Sequence, residues 1–247
     1  MIAKLAAAAL AAALAAGALW ALPLLRGPAP AELAPRDVPP DPHPLPDRPL
    51  RIAVLGTSLS HNEVWTIRLG EALSPCLGSD PEIHVAAFPG ADIASIRDTG
   101  LIGPMVATDP DIVLIEFAVN DADLRDGPGR AEADRLTRAL LAELGGALPG
   151  ALRVEMTMSP ATGLRGLLRP WLEGHYADAV ARAGAGASDG AVDLYRRWLA
   201  LPRGSRGLGD GLHPDPEVTA AVIVSPLAGY IAAAFGRTCS ARGSGNS

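Results

Sequence analysis

The chain has 247 residues, 49% of them apolar and only 19% charged, with a formal net charge of −6. That composition supports a sizeable buried core and excludes a disordered chain. Lys4 is the only lysine and the other cations are arginines scattered among acids, which excludes the clustered basic face that nucleic acid requires.

Residues 5–25 form an uncharged Ala/Leu run between Lys4 and Arg26. A secretory signal has an apolar stretch of roughly 7–15 residues, and a membrane span needs roughly 20. The length favours an N-terminal membrane anchor, while the small residues Ala16, Ala18 and Ala21 leave a cleaved signal peptide open. Either way residues 1–26 are expected to be targeting sequence, the membrane a partner through them, and the rest extracytoplasmic, periplasmic or secreted. Residues 27–49 are rich in proline, which removes backbone donors and favours extended conformations. They read as a semi-rigid linker, with His43 a linker residue rather than a ligand.

From residue 50 to 236, short apolar runs alternate with longer amphipathic ones, the pattern of a parallel sheet with helices on both faces. Strands are expected at 51–55, 82–87, 112–117 and 153–158, and a weak one at 191–194. Helices are expected near 63–73, 93–106, 131–148, 167–183 and 217–235. The predicted fold is α/β, a three-layer α/β/α sandwich around five parallel strands, followed by a flexible tail at 237–247. Cys76 and Cys239 have no CxxC spacing and no Cys/His cluster beside them, so a structural zinc site is not expected. The first and last helices of such a fold tend to share a face, which would bring these cysteines close; a disulfide and two free thiols both stay open.

In an open parallel sheet the ligand crevice lies beyond the carboxyl ends of the strands, so the residues directly after each strand are the candidate site. They read Gly56-Thr57-Ser58-Leu59-Ser60, Phe88-Pro89-Gly90-Ala91 and Ala118-Val119-Asn120-Asp121, and the loop before the last helix reads Gly209-Asp210-Gly211-Leu212-His213-Pro214. Acyl transfer needs a nucleophile, a base, a group that orients the base, and donors for the developing oxyanion. Ser58 supplies the hydroxyl, at the expected start of the first helix, where backbone N–H groups favour negative charge. His213 is the candidate base and Asp210, three residues earlier, the carboxylate that holds its tautomer. The backbone N–H groups of Ser58 and Gly90 and the side chain of Asn120 are the candidate oxyanion donors.

Each block taken singly has a plainer reading. Ser58 alone is a helix cap, Gly90 a turn residue, Asn120 a loop residue bonding its own backbone, and Asp210/His213 a surface pair or two metal ligands. Together they favour acyl chemistry with neither metal nor cofactor. His84 and His175 fall on a strand and a helix, whereas His61 is a candidate for the pocket mouth. Asp92, Asp121 and Asp193 read as structural carboxylates. Trp171, Tyr176, Tyr195 and Trp198 read as packing residues, with a sugar-stacking surface as the alternative.

The four blocks resemble those of the GDSL-type, or SGNH, serine hydrolases, a family named for Ser, Gly, Asn and His in successive blocks. Here they are GTSLS with Ser58, PGAD with Gly90, AVND with Asn120, and DGLHP with Asp210 and His213. The resemblance spans about residues 50–235 and implies a flavodoxin-like sheet, a Ser58 acyl-enzyme and no cofactor. Two positions depart from the family pattern. Thr57 stands where the family has Asp, which bears on how the nucleophile turn is braced, and Ala118 stands where it has Gly, which bears on substrate approach. GTSLS and NDADLRDG also resemble a bacterial exported branch linked to surface polysaccharides. The implied activity is hydrolysis of a carboxylic ester on a small molecule or glycan, with an O-acylated polysaccharide the first choice. Acyl transfer to a sugar hydroxyl, and a catalytically silent glycan-binding or assembly role on the same fold, are the alternatives.

Overall fold

The computed structural model describes residues 33–61 and 63–239. The expected anchor or signal segment lies outside the described residues, as do the start of the linker and most of the tail. The described residues from Pro35 onward form one compact unit.

Strands β1 (Arg51–Gly56), β2 (Glu82–Ala87), β3 (Ile112–Ile115), β4 (Leu152–Thr157) and β5 (Gly190–Asp193) form one parallel sheet in the order β2-β1-β3-β4-β5. Successive strand residues point to opposite faces. Ile52, Val54, Ile112, Leu114 and Val154 therefore feed one core cluster, and Ala53, Leu55, Val113 and Ile115 the other. Both faces are covered, which is why these strands read as continuous apolar runs. On the first face lie α1 (Val64–Leu77) and α8 (Pro216–Ala234), with Trp65, Leu69, Ile223 and Leu227 fully buried. On the second lie α2 (Ile102–Ala107) and α4 (Arg130–Ala147), through Met105, Leu140 and Leu144. Helix α8 is long and apolar enough to cross a membrane by length and composition alone. Its apolar character is accounted for by the sheet, against which Ile223, Leu227 and Ile231 are buried.

The remaining helices are α3 (Ala118–Asp121), α5 (Gly163–Leu167), α6 (Leu172–Gly184) and α7 (Leu194–Ala200). Two expected helices are broken. The run at 93–106 splits into a 3-10 turn (Ile96–Thr99) and α2 at Gly100, whose φ of 71° ends the turn. The run at 167–183 is interrupted at its start: Leu167 ends α5, and α6 begins only at Leu172, beyond Pro170, which has no N–H and disfavours helix at the residue before it. The short α3 and α7 escape periodicity, which needs a longer window; α7 is started by Asp193, whose carboxylate accepts from Arg196 N.

The proline-rich stretch is not a free stalk over its described part. Val38 pairs antiparallel with Ala191 on the open edge of β5, with both N–H···O bonds at 2.9 Å. Tyr230 Oη donates to Val38 O at 2.6 Å, and Asp37 accepts from Arg197 and from the Asp193 N–H. His43 donates its N–H to Ala234 O and its ring nitrogen Nε2 to Gly150 O. The folded domain expected to begin at residue 50 therefore includes a strap from Pro35, which covers the edge strand β5. Cys76, near the end of α1, and Cys239, beyond α8, form a disulfide with Cα atoms 5.0 Å apart.

Candidate active site

The parallel register brings the ends of β1, β2 and β3 level, with Leu55 opposite Ala86 and Ile115, so the loops that follow them open on the same sheet edge. Ser58 does not sit at a helix start as expected. It lies in a turn closed by Ser60 N and His61 N on Thr57 O, and α1 begins only at Val64. The turn is held from below by Glu116, which follows β3 and is wholly buried. Its carboxylate accepts from Thr57 N at 2.7 Å, from Thr57 Oγ1 and from Ser60 Oγ at 2.8 Å. Glycine is required at the end of β1, because a Cβ on Gly56 would overlap that carboxylate. Burial pushes the Glu116 carboxyl up to about 7, against the hydrogen bonds from Thr57 and Ser60. Thr57 thus anchors the Ser58 turn to a carboxylate that follows another strand. Sequence reasoning missed Glu116; its one signal was an acid interrupting the otherwise apolar run IVLIEF.

The second loop is a tight turn, Ala91 N donating to Phe88 O, with Gly90 at φ 83°, a conformation that favours glycine. Helix α3 ties this loop down twice. Asn120 Nδ2 donates to Ala91 O at 2.8 Å, and Asp121 Oδ1 accepts from Ile93 N at 2.8 Å. Burial raises the Asp121 carboxyl to about 7 in spite of that bond. The Asn120 amide has a second N–H and lines the same cavity as Ser58 and Gly90. The backbone N–H groups of Ser58 and Gly90 donate to no acceptor among the described residues. Ala118, expected to press on substrate, opens α3 and does not line this cavity.

The last loop is folded by Asp210, whose Oδ1 accepts the N–H groups of Leu212 and His213 at 2.8 and 2.7 Å. Thr162 N donates to Gly211 O, and Gly211 adopts φ 83° where a side chain would strike Thr162 O. This leaves Asp210 Oδ2 at 2.7 Å from His213 Nδ1 and His213 Nε2 at 2.9 Å from Ser58 Oγ. Partial burial works against ionisation of Asp210, but the bonds from His213 and from the two backbone amides hold its carboxyl down at about 2. With Asp210 ionised, Nδ1 carries the proton and Nε2 is the acceptor for the Ser58 hydroxyl. The pair is open to solvent, with side chains 44% and 47% exposed.

The structure thus brings Ser58, Gly90, Asn120 and His213 together on a cavity of about 380 Å³, with Asp210 bonded to His213 beside it. The other histidines stand apart. His61 bonds Ala87 O, His84 lies on β2 beside Glu82, and His175 is buried in α6, where burial lowers its pKa. Asp92 accepts from Ser95 N, and Asp193 holds Arg36 and Arg196 as well as capping α7. Tyr176 and Trp198 are core residues, whereas Trp171 is 56% exposed.

A search among curated proteins finds none that matches. In fold, the chain is similar to a lipase/acylhydrolase from Enterococcus faecalis, with a TM-score of 0.62 and 20% identity over 78% of this chain and 99% of that one. It is also similar to an acetylxylan esterase from Geobacillus stearothermophilus, with a TM-score of 0.57 and 15% identity over 72% of this chain and 94% of that one. The sequence profile of the GDSL-like lipase/acylhydrolase family matches residues 52–221, a stretch that runs from β1 through the Asp210/His213 loop. With the five-stranded sheet and the four blocks on its edge, that match places the chain in the GDSL-like lipase/acylhydrolase family of carboxylic ester hydrolases.

Proposed function

We propose that the protein removes short O-acyl groups from an extracytoplasmic glycan through a Ser58 acyl-enzyme. The observation that carries this reading is the unbroken chain Ser58 Oγ, His213 Nε2, His213 Nδ1, Asp210 Oδ2, at 2.9 and 2.7 Å. His213 accepts the Ser58 proton as Oγ attacks the ester carbonyl, and Asp210 stabilises the imidazolium. The backbone N–H groups of Ser58 and Gly90 and the second side-chain N–H of Asn120 meet the oxyanion. The imidazolium then protonates the departing sugar oxygen, and water, activated by the same histidine, releases the acid.

A short acyl group is favoured by a cavity in which Ser58 stands among Asp92, Asp123, Arg125 and Arg169, a poor host for a long alkyl chain. The exposed triad suits a substituent on a bulky polymer, and the acetylxylan esterase similar in fold acts on such a substrate. The apolar run at residues 5–25 and the disulfide support work outside the cytoplasm.

Hydrolysis of a small aryl acetate tests the chemistry. Ser58→Ala is expected to abolish turnover and labelling by a fluorophosphonate, and Asn120→Ala to lower kcat by about 10² to 10³. Full activity in purified Ser58→Ala protein would overturn the nucleophile assignment. Acetate released to water, compared with acetate transferred to added glycan, separates hydrolysis from acyl transfer.

A further inference from the structure

The Ser58 cavity does not end at the triad. Arg125 and Arg165 form part of its wall and also part of the wall of a second depression of about 460 Å³, which passes Asp210. That depression in turn shares Thr162, Leu208 and Gly209 with a third, of about 860 Å³, which reaches Arg203 and Arg206. The three form one open trough running away from the nucleophile.

Its arginines differ from those elsewhere in the protein. Among the described residues, every arginine forms an ion pair with Asp or Glu except Arg165, Arg203, Arg206 and Arg237. Three of these four line the trough. Arg206 bonds only the carbonyls of Leu199 and Leu201, and its pKa is lowered by burial and by Arg203. The carboxylates of the run are largely engaged. Asp123 is held by Arg125 and Arg169, Asp92 by the Ser95 N–H, Asp210 by His213, and Asp215 by the first turn of α8, while Asp126 stays exposed at the Ser58 end. Unpaired guanidinium groups in an acidic protein, along one groove and on one side of the nucleophile, are available to a ligand with its own negative charge. Arginine matches a carboxylate in geometry as well as in charge.

We infer that the trough past Asp210 binds the backbone of an anionic glycan, a polymer bearing sugar carboxylates, and holds it with an O-acyl substituent at Ser58. This deepens the proposed glycan deacylation and rests on it for the position of the scissile ester. Arg165 and Arg203 are the specificity residues; Arg206 also ties down its own loop and is the weaker position to mutate.

The test separates binding from turnover. Calorimetric titration of oligogalacturonate into Ser58→Ala protein reads the trough whether or not any ester is cleaved. Binding is expected, with affinity falling several-fold between low and physiological salt, falling about three- to tenfold in Arg165→Gln and Arg203→Gln, and absent for a neutral xylo-oligosaccharide of the same length. With Ser58 intact, kcat/KM for an O-acetylated galacturonan over that for an acetylated xylan should be lower in both arginine variants than in the wild-type protein. Equal binding of neutral and acidic oligosaccharides, or binding that neither variant alters, would overturn the trough assignment. So would affinity confined to phosphatidylglycerol vesicles and lost with the exposed Leu164 and Leu167, which would mark a lipid-facing surface instead. Failure to cleave any ester, with oligogalacturonate binding intact, would fall on the hydrolase reading and leave the trough standing.

Discussion

At the scale of single residues, the turn that carries Ser58, the proposed nucleophile, is held by a buried carboxylate. Glu116 receives three donors from the Ser58 turn in a wholly buried site, and it carries the carboxylate at a turn where Thr57 replaces the family's Asp. Its carboxyl titrates at about 7 in the folded protein against 4.5 for an ordinary Glu. The folded state therefore holds the proton more tightly than the unfolded chain. This contribution to stability is complete below pH 4.5 and is lost as pH rises through 7. It amounts to about 3 kcal/mol. Denaturant melts from pH 4.5 to 8 are expected to show that loss in the wild type and a correspondingly flatter curve for Glu116→Gln; parallel curves would refute the assignment. Asp121 adds a slope of the same sign that both proteins retain.

Between elements, two devices hold the layers in place. The disulfide links the end of α1 to the segment after α8, two helices already packed on one face of the sheet. A native disulfide typically contributes about 2–4 kcal/mol, so reduction and alkylation should lower Tm by about 5–15 °C, and the alkylated mass should appear only after a reductant is added. The strap is the second device. It supplies β5 with an edge partner and satisfies the Tyr230 hydroxyl and the Asp193 N–H. A chain beginning at residue 50 is expected to be less stable than one beginning at residue 35, by at least about 2 kcal/mol given several hydrogen bonds of about 1 kcal/mol each. It should also aggregate more readily through its uncovered edge. Equal melting temperatures would show that the strap merely rests on the domain.

For the molecule as a whole, strands, layers and the four blocks that meet at the candidate site were legible because each is a local pattern. Apolar runs of five or six residues mark strands buried on both faces, and a chemically distinctive tetrad or pentad follows three of them. The topology rule for parallel sheets then says where such residues meet. The order β2-β1-β3-β4-β5 accordingly puts Ser58 beside Asn120, and Asp210 and His213 are close in sequence before they are close in space. What the sequence could not determine rests on contacts between distant positions. Thr57 meets Glu116 across 59 residues, and Tyr230 meets Val38 across 192. The unpaired arginines of the trough belong to this second class, since an arginine in the sequence looks the same whether or not folding brings it a carboxylate. Local pattern thus determined the fold and the blocks that line the candidate site, while the bracing of the Ser58 turn, the strap over β5 and the arginines left without a carboxylate were decided only when the tertiary structure chose each side chain's partner.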